Sequence, residues 1–214
     1  MIRKPVGILG SGIVGRTLAT GFADKGYSVM IGTRSPDRLE DWSKENPEVQ
    51  VGSFEDVTRF GQILVVALKG TVAESVVRSI SSELWSGKTV LDASNPIADK
   101  PPVNNVLHFF TGPGESLMEQ LQLAAPDANF VKCFSSVPSI MMVDPNTDVK
   151  PTMFICGNHG AAKIEVRNIL DQFGWDVADM GSCEAARAIE PLAMLACITG
   201  FATGNWNVAF KYIR

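Results

Sequence analysis

The sequence predicts an α/β fold: a Rossmann-type doubly wound, mainly parallel sheet with a small C-terminal α/β extension that ends in helices. Three observations predict it. Short apolar segments alternate with helical patterns from the start of the chain. The segment at residues 63–68 is apolar throughout, which is typical of a central strand buried on both faces. A glycine-rich turn at residues 10–15 directly follows the first apolar segment.

Six segments have the composition of strands, and helical patterns connect them. Apolar residues recur at helical spacing over residues 14–22, which predicts a first helix that Gly26 ends. Ser35, followed by a proline, opens a predicted helix over residues 37–45, and a third pattern covers residues 161–173. The predicted strands are residues 6–9, 27–32, 62–68, 88–93, 129–135 and 152–157.

Length and composition allow one large core with a small appended lobe. The chain has 214 residues, of which 45% are hydrophobic. We expect a dinucleotide-binding Rossmann domain at residues 1–138. Residues 139–214 are expected to form a small lobe that packs on the same sheet and offers a possible dimer interface.

Charge and cysteine content exclude several kinds of function. The chain has 19 basic and 23 acidic residues and no basic block, so we predict no nucleic-acid partner. The four cysteines form no Cys-x-x-Cys pair, and reduced, buried thiols are expected. With only His108 and His159 available, we predict no metal site.

Two segments bear on localisation. Residues 1–10 lack the apolar region and cleavage site of a signal peptide, so we expect a cytoplasmic protein. Residues 191–210 carry no charge and are long enough to span a bilayer. Because they also contain several glycine, asparagine and threonine residues, a buried helix or a subunit interface is favoured over a membrane span. We therefore expect a homodimer and no membrane partner.

The glycine-rich turn has the Gly-x-Gly-x-x-Gly spacing of a dinucleotide site. It follows a strand and opens a helix, which is the context that the motif requires. Its first glycine permits the turn, its second leaves room for the pyrophosphate, and its third allows helix and strand to pack closely. Helix amides and the helix dipole would then face the phosphates. The residues predicted to bind here are Gly10, Ser11, Gly12, Ile13, Val14 and Gly15.

The end of the second strand predicts NADP(H) rather than NAD(H). A carboxylate here would bind the ribose hydroxyl and repel a 2′-phosphate, but the chain has Thr33-Arg34-Ser35. A guanidinium offers paired donors to a phosphate, and the two hydroxyls add neutral donors. Arg38 lies one helical turn further on. The alternative is that Arg34 is a solvated charge at a strand end.

Through the glycine-rich turn, the Thr33-Arg34-Ser35 segment and several segments further along, the chain resembles the NADPH-dependent coenzyme F420 reductases, and also the cytosolic domain of the STEAP-type ferric reductases. The similar segments extend over nearly the whole chain. They are residues 7–12 with Gly15, 32–35, 91–96, 131–136 and 155–158, then 179–181 with 185–187 and Glu190.

The resemblance implies that hydride passes directly between the nicotinamide and a flat ring, such as coenzyme F420 or a flavin, as a small-molecule electron acceptor. It implies a cleft at the strand ends. Further cofactor contacts are expected from Ala67, Leu68, Lys69, Ser94, Asn95 and Pro96, and acceptor contacts from Ser135, Ser136 and Pro138. The deazaflavin reductases have a histidine near the position of Ser135, so this chain departs from them there.

Several residues have two interpretations. Asn95 either fixes the nicotinamide carboxamide or makes a structural turn with its proline, and Lys69 either neutralises a phosphate or is solvated. Arg187 and Glu190, three residues apart on a predicted helix, are expected to pair with each other. Residues 99–114 are either a lid over the site or a surface loop.

Two other functions are alternatives to hydride transfer between rings. One is a non-catalytic NADP(H)-sensing module, and the other is an imine or carbonyl reductase similar to pyrroline-5-carboxylate reductase. A hydroxyacid or 6-phosphogluconate-type dehydrogenase is disfavoured, because the residues after 151 are too few for its large helical domain.

Overall fold

The computed structural model describes residues 3–213, and its main feature is a six-stranded parallel sheet. The strands are ordered β3-β2-β1-β4-β5-β6, the order of a doubly wound dinucleotide-binding fold. They are β1 (Val6–Leu9), β2 (Val29–Gly32), β3 (Val49–Gly52), β4 (Ile63–Val66), β5 (Thr89–Asp92) and β6 (Asn129–Lys132). The predicted fold class is confirmed.

Helices cover both faces of this sheet. They are α1 (Ile13–Asp24), α2 (Glu40–Glu45), α3 (Phe54–Phe60), α4 (Gly70–Ser79) and α5 (Leu117–Ala124), followed in the C-terminal part by α6 (Gly160–Gln172), α7 (Ala186–Ile189) and α8 (Leu192–Thr203). The C-terminal part also contains a parallel pair, β7 (Thr152–Ile155) and β8 (Asp176–Asp179). Helix α6 connects this pair and packs on the main sheet against β5 and β6.

The core divides into two apolar layers, one on each face of the sheet. Strand β4 lies between β1 and β5 and is buried along its whole length, as its continuous apolar sequence predicts. Its side chains alternate, so that Val65 contributes to the layer under α1 and α6 while Leu64 contributes to the layer under α3, α4 and α5. In the first layer the rings of Phe22 and Phe173 lie 4.8 Å apart.

Helix termini follow the sequence signals in most places. Gly26 and Gly174, which follow α1 and α6, both have left-handed backbone with φ of 78° and 86°. The helix predicted over residues 37–45 is only partly formed, since residues 36–39 make a 3-10 turn before α2 begins. The Ser35 side chain makes no cap hydrogen bond, and the Ser35 backbone amide donates to the Thr33 hydroxyl.

Residues 97–115 form an irregular loop, as the sequence predicts. It is folded back on itself through isolated bridges between Ile97 and Phe109 and between Val103 and Val106. The stretch Cys183–Thr203 satisfies the length and hydropathy of a membrane span, with 33% of its most apolar window buried. In the fold, this stretch is divided into a 3-10 turn, α7 and α8.

Candidate functional site

A cleft at the carboxyl ends of the strands contains most of the residues predicted to bind the cofactor. It consists of two cavities. We call the larger one, of about 390 Å³, the β5 cavity, and the smaller one, of about 250 Å³, the β2 cavity. Four residues line both: Gly12, Ala67, Leu68 and Lys69. A single elongated ligand can therefore occupy the two cavities together.

The predicted residues divide between the two cavities according to their strand. The β5 cavity adds Ile13, Val14, Ser94 and Asn95 to the shared four. The β2 cavity adds Gly10, Ser11, Thr33, Arg34, Ser35 and Arg38. Gly15, Pro96, Ser135, Ser136 and Pro138 do not line either cavity.

A larger cavity, of about 510 Å³, lies at the opposite end of the strands. Arg3, Tyr27 and His159 are among the residues that line it. None of the predicted site residues lines it, and it is at the amino ends of the strands, where doubly wound sheets do not bind nucleotides. Size alone therefore does not identify the site.

The turn between β1 and α1 brings bare backbone to the cleft. Gly10 has φ 119°, and a Cβ there would lie 2.3 Å from the Ala67 carbonyl oxygen. Gly12 differs, because a Cβ at that residue would meet no described atom within 4 Å. The first turn of α1 has no side-chain cap, and Ile13 is 68% exposed. This open helix N-terminus fits a diphosphate.

The end of β2 presents two exposed guanidinium groups to the β2 cavity. Within residues 3–213, Arg34 and Arg38 have no ion-pair partner. The Thr33 hydroxyl accepts hydrogen bonds from Ser11 Oγ at 3.0 Å and from the Ser35 amide at 3.1 Å. Thr33 thus fixes the turn that carries Arg34, and the cavity offers positive charge to an anion.

A buried charge cluster lies under the β5 cavity. The ammonium of Lys132, the last residue of β6, lies 2.6 Å from Asp92 Oδ2 and 2.8 Å from Glu190 Oε1. It also donates to the Ser94 carbonyl oxygen at 2.9 Å. Asp92 Oδ2 accepts no hydrogen bond from the described residues, and its ion pair with the Lys132 ammonium is its one polar contact there. Burial alone would lower the pKa of Lys132, but the charges of Asp92 and Glu190 outweigh it and raise that pKa.

This cluster corrects one prediction. Arg187 and Glu190 do not pair with each other. Arg187 instead bonds Glu119 of α5, with Nε at 2.9 Å from Oε2, while Glu190 is buried and accepts from the Leu117 and Met118 amides at the start of α5. Spacing on one helix could not show this, because both partners come from distant parts of the chain.

Three polar atoms near the β5 cavity are buried without a hydrogen-bond partner in residues 3–213. They are Asn95 Oδ1, Ser135 Oγ and Ser136 Oγ. Asn95 Nδ2 donates to the Ser135 carbonyl oxygen at 2.8 Å, which joins the predicted acceptor residues to the cavity lining. Such buried atoms are costly unless a ligand or water satisfies them.

The backbone just before the two serines is in an uncommon conformation. Phe134, fully buried, has φ 62°. A left-handed conformation costs a non-glycine residue ~1–2 kcal/mol. This strain lies between the end of β6 and the unpartnered hydroxyls, where functional sites concentrate such conformations.

Lys69 is paired at the mouth of the cleft. Its ammonium contacts the carboxylate of Asp99, which belongs to the irregular loop. Both side chains are well exposed, so the ion pair is weak. The loop is thus joined to the rim of both cavities, and its role as a lid stays a prediction.

Sequence reasoning missed six residues that line the cleft. Phe54, Val72 and Val76 make an apolar wall of the β2 cavity, and Gly70, Ala93 and Ile97 line the β5 cavity. Phe54 begins α3, whose capping box of Ser53 and Asp56 is readable in the sequence. Gly70, Val72 and Val76 belong to α4, while Ala93 and Ile97 follow β5, and none of these five small or apolar residues carries a chemical signal in the sequence.

The cysteines have the properties of unreactive thiols. Burial raises the pKa of Cys156 to about 12, and it also raises the pKa of the other three, Cys133, Cys183 and Cys197. Within the described residues, no three His, Cys, Asp or Glu side chains are arranged to hold a metal ion.

Known proteins similar to this chain point to one family. The family model "NADP oxidoreductase coenzyme F420-dependent" matches residues 5–96. A crystal structure of a candidate F420-dependent NADP-reductase from Arthrobacter sp. FB24 is 32% identical, covers 99% of this chain and 100% of its own, and superposes with a TM-score of 0.92. The F420-dependent NADP reductase of Methanocaldococcus jannaschii is 26% identical, with 87% of each chain covered.

A second group of relatives, the STEAP metalloreductases, is similar over most of this chain. Metalloreductase STEAP3 of Rattus norvegicus is 30% identical over 89% of this chain, but the chain spans only 37% of that relative's length. The likeness therefore concerns one part of the longer protein. On the full-length match to the Arthrobacter structure, this chain belongs to the coenzyme F420-dependent NADP oxidoreductase family and is an NADP-dependent oxidoreductase.

Proposed function

We propose that the chain transfers hydride between NADP(H) and a flat-ring acceptor, such as coenzyme F420 or a flavin. When bound, the nicotinamide supplies or takes up the hydride, two electrons with one proton. One observation carries the proposal. In the described lining of the β5 cavity, Lys69 is the sole titratable side chain, and Asp99 pairs with it.

That lining favours one reaction class over others. Reduction of a carbonyl or imine group is helped by a positioned acid that protonates the product. Transfer between two rings depends on distance and orientation, since the rings themselves carry the electronic change. A mainly apolar cavity, whose one charged side chain is already paired with Asp99, therefore supports the second class. The similarity to the F420-dependent NADP reductase of Methanocaldococcus jannaschii supports coenzyme F420 as the acceptor.

Each part of the cleft has a role in this proposal. The open start of α1 at Gly12 receives the diphosphate, and Arg34 with Arg38 receives the 2′-phosphate. Asn95 Oδ1 accepts a hydrogen bond from the nicotinamide carboxamide. The Ser135 and Ser136 hydroxyls, which lack partners in the described chain, bind polar atoms of the acceptor ring.

A panel of acceptors tests the proposal. NADPH oxidation is followed by absorbance, without oxygen, with coenzyme F420, a flavin, a ferric chelate and a cyclic imine as separate acceptors. We expect turnover with a flat-ring acceptor, and a rate reduced at least ~10-fold by Ser136→Ala, as a lost hydrogen bond to a ligand predicts. Turnover with the imine alone, or stoichiometric binding without turnover, would contradict the proposal in favour of an imine reductase or a sensor.

We further propose a cytoplasmic homodimer, formed through α8 and the residues after it. Leu195, Phe201 and Trp206 are exposed apolar side chains in this segment. Exposed apolar area of this kind commonly marks a subunit interface. Sedimentation velocity should show a dimer, and Leu195→Glu should shift it toward a monomer. A wild-type monomer at micromolar concentration would refute the dimer.

A further inference from the structure

The buried charge cluster of Lys132, Asp92 and Glu190 holds every polar group of one cleft residue, Ser94. Asp92 Oδ1 accepts from the Ser94 amide at 2.9 Å and from its hydroxyl at 2.5 Å. The Lys132 ammonium takes the remaining group, the carbonyl oxygen, at 2.9 Å. The position of Ser94 is therefore set by the cluster.

Asn95, the next residue, has no freedom to move independently. A Cβ on Gly70 would lie 2.0 Å from the Asn95 carbonyl oxygen, so α4 packs directly on this backbone. The side-chain amide of Asn95 donates to the Ser135 carbonyl oxygen at 2.8 Å. The remaining atom, Asn95 Oδ1, is buried and unpartnered among the described residues. The cluster, the backbone and the side chain thus together fix where this acceptor atom lies.

Stability alone does not explain a cluster of this kind. Lys132 and Asp92 have no exposed side-chain surface, and Glu190 has 2%. Desolvating three charges is costly, and apolar side chains of similar volume commonly stabilise a core as well or better. What apolar side chains cannot supply is a donor to the Ser94 carbonyl and an acceptor for its amide and hydroxyl.

We propose that Lys132, Asp92 and Glu190 are positioning residues that hold Asn95 Oδ1 in register with the nicotinamide carboxamide. The inference rests on the role proposed above for Asn95. Glu190 acts at a distance: it fixes the Lys132 ammonium from one side, while Asp92 fixes it from the other. Removal of one carboxylate lets the ammonium, and with it the 94–95 backbone, shift within the cluster.

The test compares two ligands that differ only in the group that Asn95 would recognise. NADP⁺ has a carboxamide, whereas its 3-acetylpyridine analogue has an acetyl group and no N–H donor. We expect the wild-type protein to bind NADP⁺ about 10-fold more tightly in calorimetry, the scale of a hydrogen bond to a buried oxygen. Glu190→Gln should reduce this ratio to about 2-fold, since a misplaced Oδ1 loses most of that hydrogen bond.

Two further variants make the result specific. Arg187→Met removes a charge three residues before Glu190 but does not touch the cluster, so it should keep the wild-type ratio. Asp92→Asn retains an oxygen for Ser94 and should narrow the ratio as Glu190→Gln does. If circular dichroism and thermal unfolding show that Glu190→Gln does not fold, Asp92→Asn replaces it as the test variant.

Three results would overturn the inference. They are a wild-type ratio close to 1, an unchanged ratio in both cluster variants, or an equal narrowing in Arg187→Met. Because the comparison measures binding without an acceptor, it is independent of turnover. If the protein shows the expected ratios but does not oxidise NADPH with any acceptor of the panel, this inference stands and the proposed hydride transfer is refuted.

Discussion

Adding one methyl group at two glycines of the same turn should separate folding from cofactor binding. At Gly15, a Cβ would lie 1.9 Å from the Gly10 carbonyl oxygen, and an ordinary contact needs about 3.4 Å. Because the clash is with backbone, α1 must move away from β1 by about 1.5 Å. At Gly12, a Cβ would meet no described atom within 4 Å.

The expected changes in the free energy of unfolding follow from this geometry. Overpacking costs ~1–3 kcal/mol, and a backbone contact puts Gly15→Ala at the upper end of that range. Alanine recovers ~1 kcal/mol of helix propensity, which leaves a net loss of about 2 kcal/mol. For Gly12→Ala, the weaker N-cap and the reduced entropy of the unfolded chain nearly cancel, so we expect a change within ~0.5 kcal/mol.

Gly12→Ala should strongly weaken NADPH binding, although it should hardly change the free energy of unfolding. The methyl group of Gly12→Ala would occupy the space where the diphosphate approaches the α1 amides, so affinity should fall at least ~10-fold. Urea unfolding measures the stability of each variant, and titration of NADPH fluorescence measures its affinity. A Gly12→Ala protein that binds NADPH within twofold of wild type would refute the reasoning, and so would a Gly15→Ala protein as stable as wild type.

Three further predictions concern single groups. Arg34→Ala should weaken NADPH binding by on the order of 1–3 kcal/mol and leave NADH binding unchanged; equal losses in fluorescence titrations of the two would contradict the 2′-phosphate site. Lys132 has a folded-state pKa above its ordinary 10.5, so its contribution to stability is complete below pH 10.5 and is lost as pH rises through the higher folded value. The free energy of unfolding, measured with urea, should therefore fall more steeply above pH 10.5 in wild type than in Glu190→Gln. Cys156, with a pKa of about 12, should resist iodoacetamide at pH 8 until urea unfolds the chain, and rapid labelling of the native protein, located by mass spectrometry, would show that this thiol is not buried.

The strands that could be predicted are those with strong apolar runs. β1 has its predicted bounds, while β4, β5 and β6 are each shorter than their apolar segments because the last residues turn into the cleft. β3 and β8 were missed. Polar residues interrupt both strands, Gln50 in β3 and two aspartates in β8, so no apolar run marks them and pairing with a neighbouring strand decides their conformation.

The site was predictable where backbone geometry demands a residue type and unpredictable where distant residues meet. The glycine spacing and the arginine that follows β2 carry their chemistry in sequence order, and both line the cleft. The cluster of Lys132 with Asp92 and Glu190 joins residues 40 and 58 positions from the lysine, and no local pattern marks it. The one available signal was a lysine at the end of β6, between the apolar residues Val131 and Cys133.

Glu190 has a consequence for how the chain can be divided. It comes from the segment after residue 138, yet it neutralises a lysine of the dinucleotide-binding sheet and caps the start of α5. The backbone repeats this link, because the Lys132 amide donates to the Cys156 carbonyl oxygen at 3.0 Å. A truncated fragment ending at residue 138 would bury an ammonium with one counterion instead of two, so we expect both halves to unfold in one cooperative transition.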